Sequence, residues 1–141
     1  MSFLIDTNVV SEWLKPRPDP RATEWLAQVE EDSVFLSVVT LTELRYGVDR
    51  LPRGRRRNQL DRWLGFDLLD RFAGRIIPID DEIALVCGIV LAEREAIGRP
   101  MELMDAFIAA TVRSTGLSLV TRNEVDFAGT VQEIINPWSS G

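Results

Sequence analysis

The apolar residues fall into two alternating rhythms. Short unbroken runs, at 2–5 ("SFLI"), 33–37 ("SVFLS"), 75–79 ("RIIPI") and 117–121 ("LSLVT"), read as strands buried on both faces. Between them apolar positions recur three and four residues apart, the period of an amphipathic helix. The first helix begins near Asn8 and is broken by "KPRPDP" (15–20), whose three prolines cannot continue it. Residues 21–32 form a second helix with Ala22, Trp25, Leu26 and Val29 on one face. Residues 38–49 carry Leu41, Leu44 and Val48 as a stripe, and 55–72 form a longer amphipathic helix that Gly65 weakens. Asp80 is placed to cap a helix running to about Ala96. Gly98 and Pro100 punctuate before another helix over 103–115. "RNEVDF" (122–127) is a turn with a short helix, and 131–136 contain a last, weaker strand. The final "NPWSSG" packs Trp138 and then frays. Strand alternating with helix predicts an α/β chain, one domain over 1–141, with a mostly parallel sheet covered on both sides.

Composition narrows the chemistry. With 45% hydrophobic and 27% charged residues the chain has the balance of an ordinary globular domain. No apolar run approaches bilayer-spanning length and no leader-like segment opens the chain, so a cytoplasmic protein without membrane contact is expected. The single cysteine, Cys87, lies on an apolar helical face with Ile83, Val86, Val90 and Leu91 and reads as a small core residue. The chain has no histidine. Ser-His-Asp and Cys-His catalysis, imidazole zinc sites and histidine-based RNA cleavage are therefore excluded. Carboxylates, hydroxyls, arginines or a bound cofactor must carry any chemistry.

The net charge of −6 hides an uneven distribution. Arg50, Arg53, Arg55, Arg56, Arg57 and Arg62 stand against Asp61 in "RLPRGRRRNQLDR", a local +5 that leaves −11 on the rest. Such a run is either a solvated helix face or a surface for a polyanion. Tryptophans 13, 25, 63 and 138 sit at apolar-periodic or chain-end positions, which favours packing over base stacking.

Several acids stand at the ends of predicted elements. Asp6 follows the first strand, and Asn123 and Asp126 follow the strand at 117–121. Open α/β sheets bind ligands beyond the carboxyl ends of their strands, where these residues meet if the two strands are neighbours. Asp105 opens the 103–115 helix, and Glu43 lies early in the 38–49 helix. Each has a structural alternative: Asp6 as an N-cap, Asp105 as a first-turn acid, Glu43 in a Thr40-x-x-Glu43 capping box, Asn123 and Asp126 in a turn. Clustered carboxylates raise one another's pKa, and oxygen ligands favour Mg²⁺ or Mn²⁺ over zinc. The pattern thus suggests a hard cation, which would make a buried Asp6 tolerable, and a phosphodiester substrate.

Four blocks, "LIDTNVVSE", "TLTELRYGV", "MDAFIAATV" and "TRNEVDF", resemble in order and spacing the signatures of PIN-domain ribonucleases. More narrowly the chain is similar to VapC-type toxins of bacterial toxin–antitoxin pairs, including the FitB-like branch, down to the ending "NPW". The resemblance implies a PIN-like three-layer α/β/α sandwich and a Mg²⁺- or Mn²⁺-dependent endoribonuclease. Asp6, Glu43 and Asp105 would be its acidic site, with Asp6 and Asp105 on the metal. The fourth position falls to Asn123 or Asp126. Thr7 and Thr121 would supply hydroxyl contacts and Asn8 a helix cap, while Arg50, Arg53, Arg55, Arg56 and Arg57 would hold RNA phosphates. It also implies a VapB-type antitoxin, a homodimer, and a larger DNA-binding complex.

Two other readings compete. A PIN fold acting with its antitoxin in transcriptional autoregulation would need little nuclease activity. An aspartate-based phosphatase would also place a carboxylate after strand one, but Asn8 stands where the second acid of a DxD pair would be.

Overall fold

The computed structural model describes residues 1–139. Among them, β1 (Phe3–Ile5), β2 (Val34–Ser37), β3 (Ile76–Ile77), β4 (Ser118–Val120) and β5 (Ile134–Ile135) form one sheet in the order β3-β2-β1-β4-β5. Every pairing is parallel, with Leu4 opposite Phe35 on one side and Leu119 on the other. Successive strand residues face opposite ways, so the sheet feeds two cores. Ile5, Leu36 and Val120 face helices α1 (Thr7–Glu12), α2 (Pro20–Gln28), α3 (Val38–Asp49) and α4 (Arg55–Arg62). Leu4 and Leu119 face α6 (Asp81–Ala96) and α7 (Leu103–Thr115), with Phe127 of α8 (Glu124–Phe127) beside them. The small buried residues Ala106, Ala109 and Ala110 let α7 lie close to the sheet. The expected α/β/α sandwich is present, and Cys87 and Trp138 are core residues.

The winding of the chain positions the site. From β1 it crosses first to β2 and β3 on one side, then returns to β4 and β5 on the other. The order therefore reverses between β1 and β4, and a crevice opens at their carboxyl ends.

Three element readings are corrected. The helix expected over 55–72 is divided: α4 ends at Arg62, a π-helical turn spans Trp63–Leu68, and α5 (Leu69–Arg71) closes the segment. Leu60, Leu64, Leu68 and Phe72 are all buried at a spacing of four. An α-helix would rotate such a row by about 40° per step, and the wider π turn takes up that drift. Proline 20 starts α2 rather than only breaking what precedes it. It occupies the first turn, where its missing N–H has no cost, behind an Asp19 side chain that accepts from Arg21 N–H at 2.8 Å. That helix ends at Gln28, and residues 31–33 form a separate 3-10 turn. The fraying expected after Trp138 falls largely on Ser140 and Gly141, outside the described residues.

Candidate active site

Asp6 stands at the carboxyl end of β1 and is 4% exposed. Three donors surround its carboxylate. Thr7 N–H donates to Oδ1 at 2.8 Å, and the Thr121 hydroxyl and Asn8 Nδ2 donate to Oδ2 at 2.8 and 3.1 Å. Thr121 lies just beyond β4, so this contact ties the two strands at the point where the winding reverses. Its oxygen also accepts from Asn8 Nδ2 at 3.2 Å and from Asn123 N–H at 3.1 Å. The N-cap of α1 is Asp6 itself. Asn8, expected as a helix cap, instead bridges Asp6 and Thr121 and accepts the Arg122 N–H at 3.1 Å.

Glu43 is half-buried on α3, and its Oε1 accepts the Thr7 hydroxyl at 2.6 Å. The capping-box alternative for Glu43 is overturned, because Ser37 caps α3 by accepting from Val39 N–H and Thr40 lies inside the helix. Asp105 is in the first turn of α7, where the helix dipole favours an anion. Asn123 occupies the N-cap position of α8 without a side-chain capping bond.

The electrostatics tie these groups together. Burial raises the Asp6 pKa, the three donors lower it, and the charge of Asp126 raises it further, leaving a net upward shift. Glu43 is raised by burial and, against the Thr7 bond, by Asp6 and Glu102. Asp105 is pushed up to about 6 by burial and then by Asp6, Asp126, Glu43 and Glu102. Hydrogen bonding within the chain thus makes Asp6 tolerable without fully compensating its charge.

The crevice has two lips that share Glu43, Asp105 and Asn123. One adds Asp6, Thr7, Asn8, Ser11, Lys15, Arg122 and Trp138; the other adds Arg94, Glu102 and Asp126. Asp6, Thr7, Glu43, Asp105, Asn123 and Asp126 are thereby brought to one place, with Thr121 behind them. Arg50, Arg53, Arg55, Arg56 and Arg57 line neither lip. Arg50 stacks on Tyr46, Arg57 donates to the Leu51 carbonyl, and Arg56 reaches the Leu14 carbonyl at 2.6 Å. Lys15, Arg94, Glu102 and Arg122 were not read from the sequence as site residues. Each is a single charge in a different segment, so no run or motif marks them.

Among the described residues no three acids form a ready-made cage for a metal ion. Mg²⁺ asks for less: one or two carboxylates, several waters and substrate phosphate oxygens. The donor set fits that demand. It is oxygen-rich, its acids repel one another, and among the described residues no hydrogen bond contributes to the environment of the Asp105 carboxylate.

An acid cluster where a parallel sheet reverses its winding defines a carboxylate-centred α/β protein. The chain matches the PIN domain over residues 3–130 and belongs to that family. It is 36% identical to Toxin FitB of Neisseria gonorrhoeae over 96% of this chain and 98% of that one. It is 33% identical to VapC ribonuclease Y4jK of Sinorhizobium fredii over 96% and 97%. The solved structure of FitAB bound to an IR36 DNA fragment contains a chain superposing with a TM-score of 0.92 at 33% identity, covering 99% of this chain and 97% of that one.

Proposed function

We propose that this protein is the endoribonuclease toxin of a toxin–antitoxin pair, hydrolysing RNA phosphodiesters with Mg²⁺ or Mn²⁺ held at the carboxylate cluster. One observation carries the reading: Asp6, Glu43 and Asp105 are gathered at the switch point, each raised by burial and by neighbouring acids. Clustering that costs folding energy is what a cation site requires. The ribonuclease and toxin names of the relatives agree with it.

Asp6 and Asp105 would hold the ion, with Asn123 or Asp126 completing the donor set. When bound, such an ion lowers the pKa of water and neutralises charge on the phosphate oxygens, which removes the need for a histidine base. Glu43 keeps Oε2 for the attacking water while Thr7 fixes its other oxygen. Thr121 and Asn8 set the Asp6 carboxylate plane, the orienting role of groups behind metal ligands. The resemblance to PIN-domain ribonucleases implies products ending in a 5′-phosphate and a 3′-hydroxyl.

The partners follow the same reading. An antitoxin blocks the crevice, and the pair assembles into a DNA-binding complex that regulates its own promoter. A FitAB structure on DNA supports the assembly. Exposed Leu85 and Ile89, one turn apart on α6, offer an apolar face for a second copy. The test is cleavage of total RNA by antitoxin-free protein with Mg²⁺, Mn²⁺ or EDTA, with ends mapped by sequencing. Cuts at defined sites that vanish in EDTA support the nuclease. No cutting by folded, metal-supplied protein would favour the regulatory module without intrinsic activity.

A further inference from the structure

The two lips of the crevice differ in the cations they can offer. On the acidic lip, Arg94 is outnumbered: its Nε donates to the Arg99 carbonyl at 2.8 Å and its Nη1 to the Asp126 carbonyl at 2.9 Å, and among the described lining residues it is one cation against four acids. Around it stand Glu43, Glu102, Asp105 and Asp126. A phosphodiester chain crossing that lip meets net negative charge.

The opposite lip is built differently. Arg122 is exposed, and its guanidinium lies 5.5 Å from the centre of the Trp138 ring. It enters no ion pair among the described residues. Its backbone is pinned on both sides: the N–H donates to Asn8 Oδ1, and the carbonyl accepts Asn136 Nδ2 at 3.5 Å. Asn136 Oδ1 in turn accepts the Trp138 N–H at 3.0 Å. The "NPW" ending thus forms a shelf that fixes Arg122. Lys15 stands on the same lip, its Nζ 3.1 Å from Oε1 of the buried Glu12. An ammonium has three donors, so this pairing leaves others free. The bond from Arg56 to the Leu14 carbonyl places the start of α4 next to Lys15.

We infer that RNA reaches the acids over this lip alone: Arg122 and Lys15 hold the phosphate next to the cleaved one, and the strand continues toward Arg55 and Arg56 of α4. Trp138 and Asn136 are positioning residues for Arg122. The inference rests on the ribonuclease reading and adds the path of its substrate. A planar fork on an aromatic face suits phosphate recognition, and the cations lie where the acids alone would repel the chain.

The test measures salt-dependent binding of two RNAs to Asp105→Asn protein, in which turnover is suppressed. One is a short single strand confined to the crevice; the other is long enough to cross α4. Arg122→Ala is expected to weaken binding of both about tenfold and to reduce the salt slope by about 0.7, the loss of one single-strand phosphate contact. Arg122→Lys should keep the slope. Lys15→Ala should act like Arg122→Ala; since it leaves Glu12 buried and unpaired, Arg122→Ala decides if that variant unfolds. Arg55→Ala should affect only the longer RNA, and Glu102→Gln should tighten both. Unchanged slopes in Arg122→Ala would overturn the inference, as would Arg55→Ala weakening the short strand. Loss of antitoxin binding with RNA binding intact would also overturn it and assign the lip to the antitoxin. In those cases RNA cutting by the wild type would leave the ribonuclease reading standing; wild-type protein that neither binds nor cuts RNA would end both.

Discussion

The Thr121 hydroxyl donates to Asp6 Oδ2 at 2.8 Å although 115 positions separate the two residues in the chain. Both are buried, and the contact joins the carboxyl ends of the two strands between which the sheet reverses direction. It also sets how Asp6 meets the crevice, because the same oxygen of Thr121 receives Asn8 and the Asn123 N–H.

Thr121→Val keeps the branched shape and removes the hydroxyl. RNA cleavage is expected to fall about 10–100-fold, the usual cost of losing a group that orients a metal ligand. The circular dichroism spectrum should be unchanged. Full activity in this variant would show that Asp6 is oriented by Thr7 and Asn8 alone.

The acid cluster predicts a direction for pH dependence. Asp105 has its pKa pushed from 3.8 to about 6, so between those values the folded state binds more protons than the unfolded one. The stability that Asp105 contributes to metal-free protein is therefore expected to fall as pH rises through about 6. The upward shifts of Asp6 and Glu43 act in the same sense. Asp19, Glu31 and Glu93 are lowered by their arginine partners and act oppositely, below about pH 4.5. Thermal melts in EDTA should show the decline between pH 4.5 and 6.5, and Asp105→Asn should flatten it.

Gly65 lies in the π-helical turn with open space where a Cβ would stand. Its φ is not positive, so a side chain brings no backbone strain. Gly65→Ala should raise stability by about 0.4–1 kcal/mol by restricting the unfolded chain. Urea denaturation measures it; a loss of stability would mean that the π turn depends on glycine.

Phe72 is fully buried at the end of the row Leu60, Leu64, Leu68, with its ring 6.3 Å from that of Trp13. Phe72→Ala should cost about 3–5 kcal/mol, read from the same denaturation curves.

Much of this was legible in the sequence where chemistry and position coincide. Unbroken apolar runs marked the strands because a parallel sheet is buried on both faces, and the acids at element ends marked the crevice. Asp6, Glu43 and Asp105 were picked out that way and by the four family blocks, and the fold brings them to one crevice. The rest depended on three-dimensional convergence. Arg122 and Lys15 are lone charges from distant segments, and only the return of the chain to β4 sets them on one lip. Glu12 was not singled out at all, yet it is 1% exposed and paired with Lys15, because its helix turns that side inward. Asn8 follows the helix start so closely that capping was the natural local reading; its partners Thr121 and Arg122 lie far along the chain. The π turn left a trace in the spacing of four between Leu60, Leu64, Leu68 and Phe72, which a 3.6-residue template smooths over.

The most direct test of the central claim is Mn²⁺ binding near pH 6, measured by titration calorimetry in buffers of different ionisation enthalpy. A cation that engages Asp105 must displace its proton, so wild-type protein should bind Mn²⁺ with proton release. Asp6→Asn and Asp105→Asn, confirmed as folded, should lose both the binding and RNA cleavage. Equal Mn²⁺ affinity in the wild type and both variants, or cleavage that persists in them, would contradict the account.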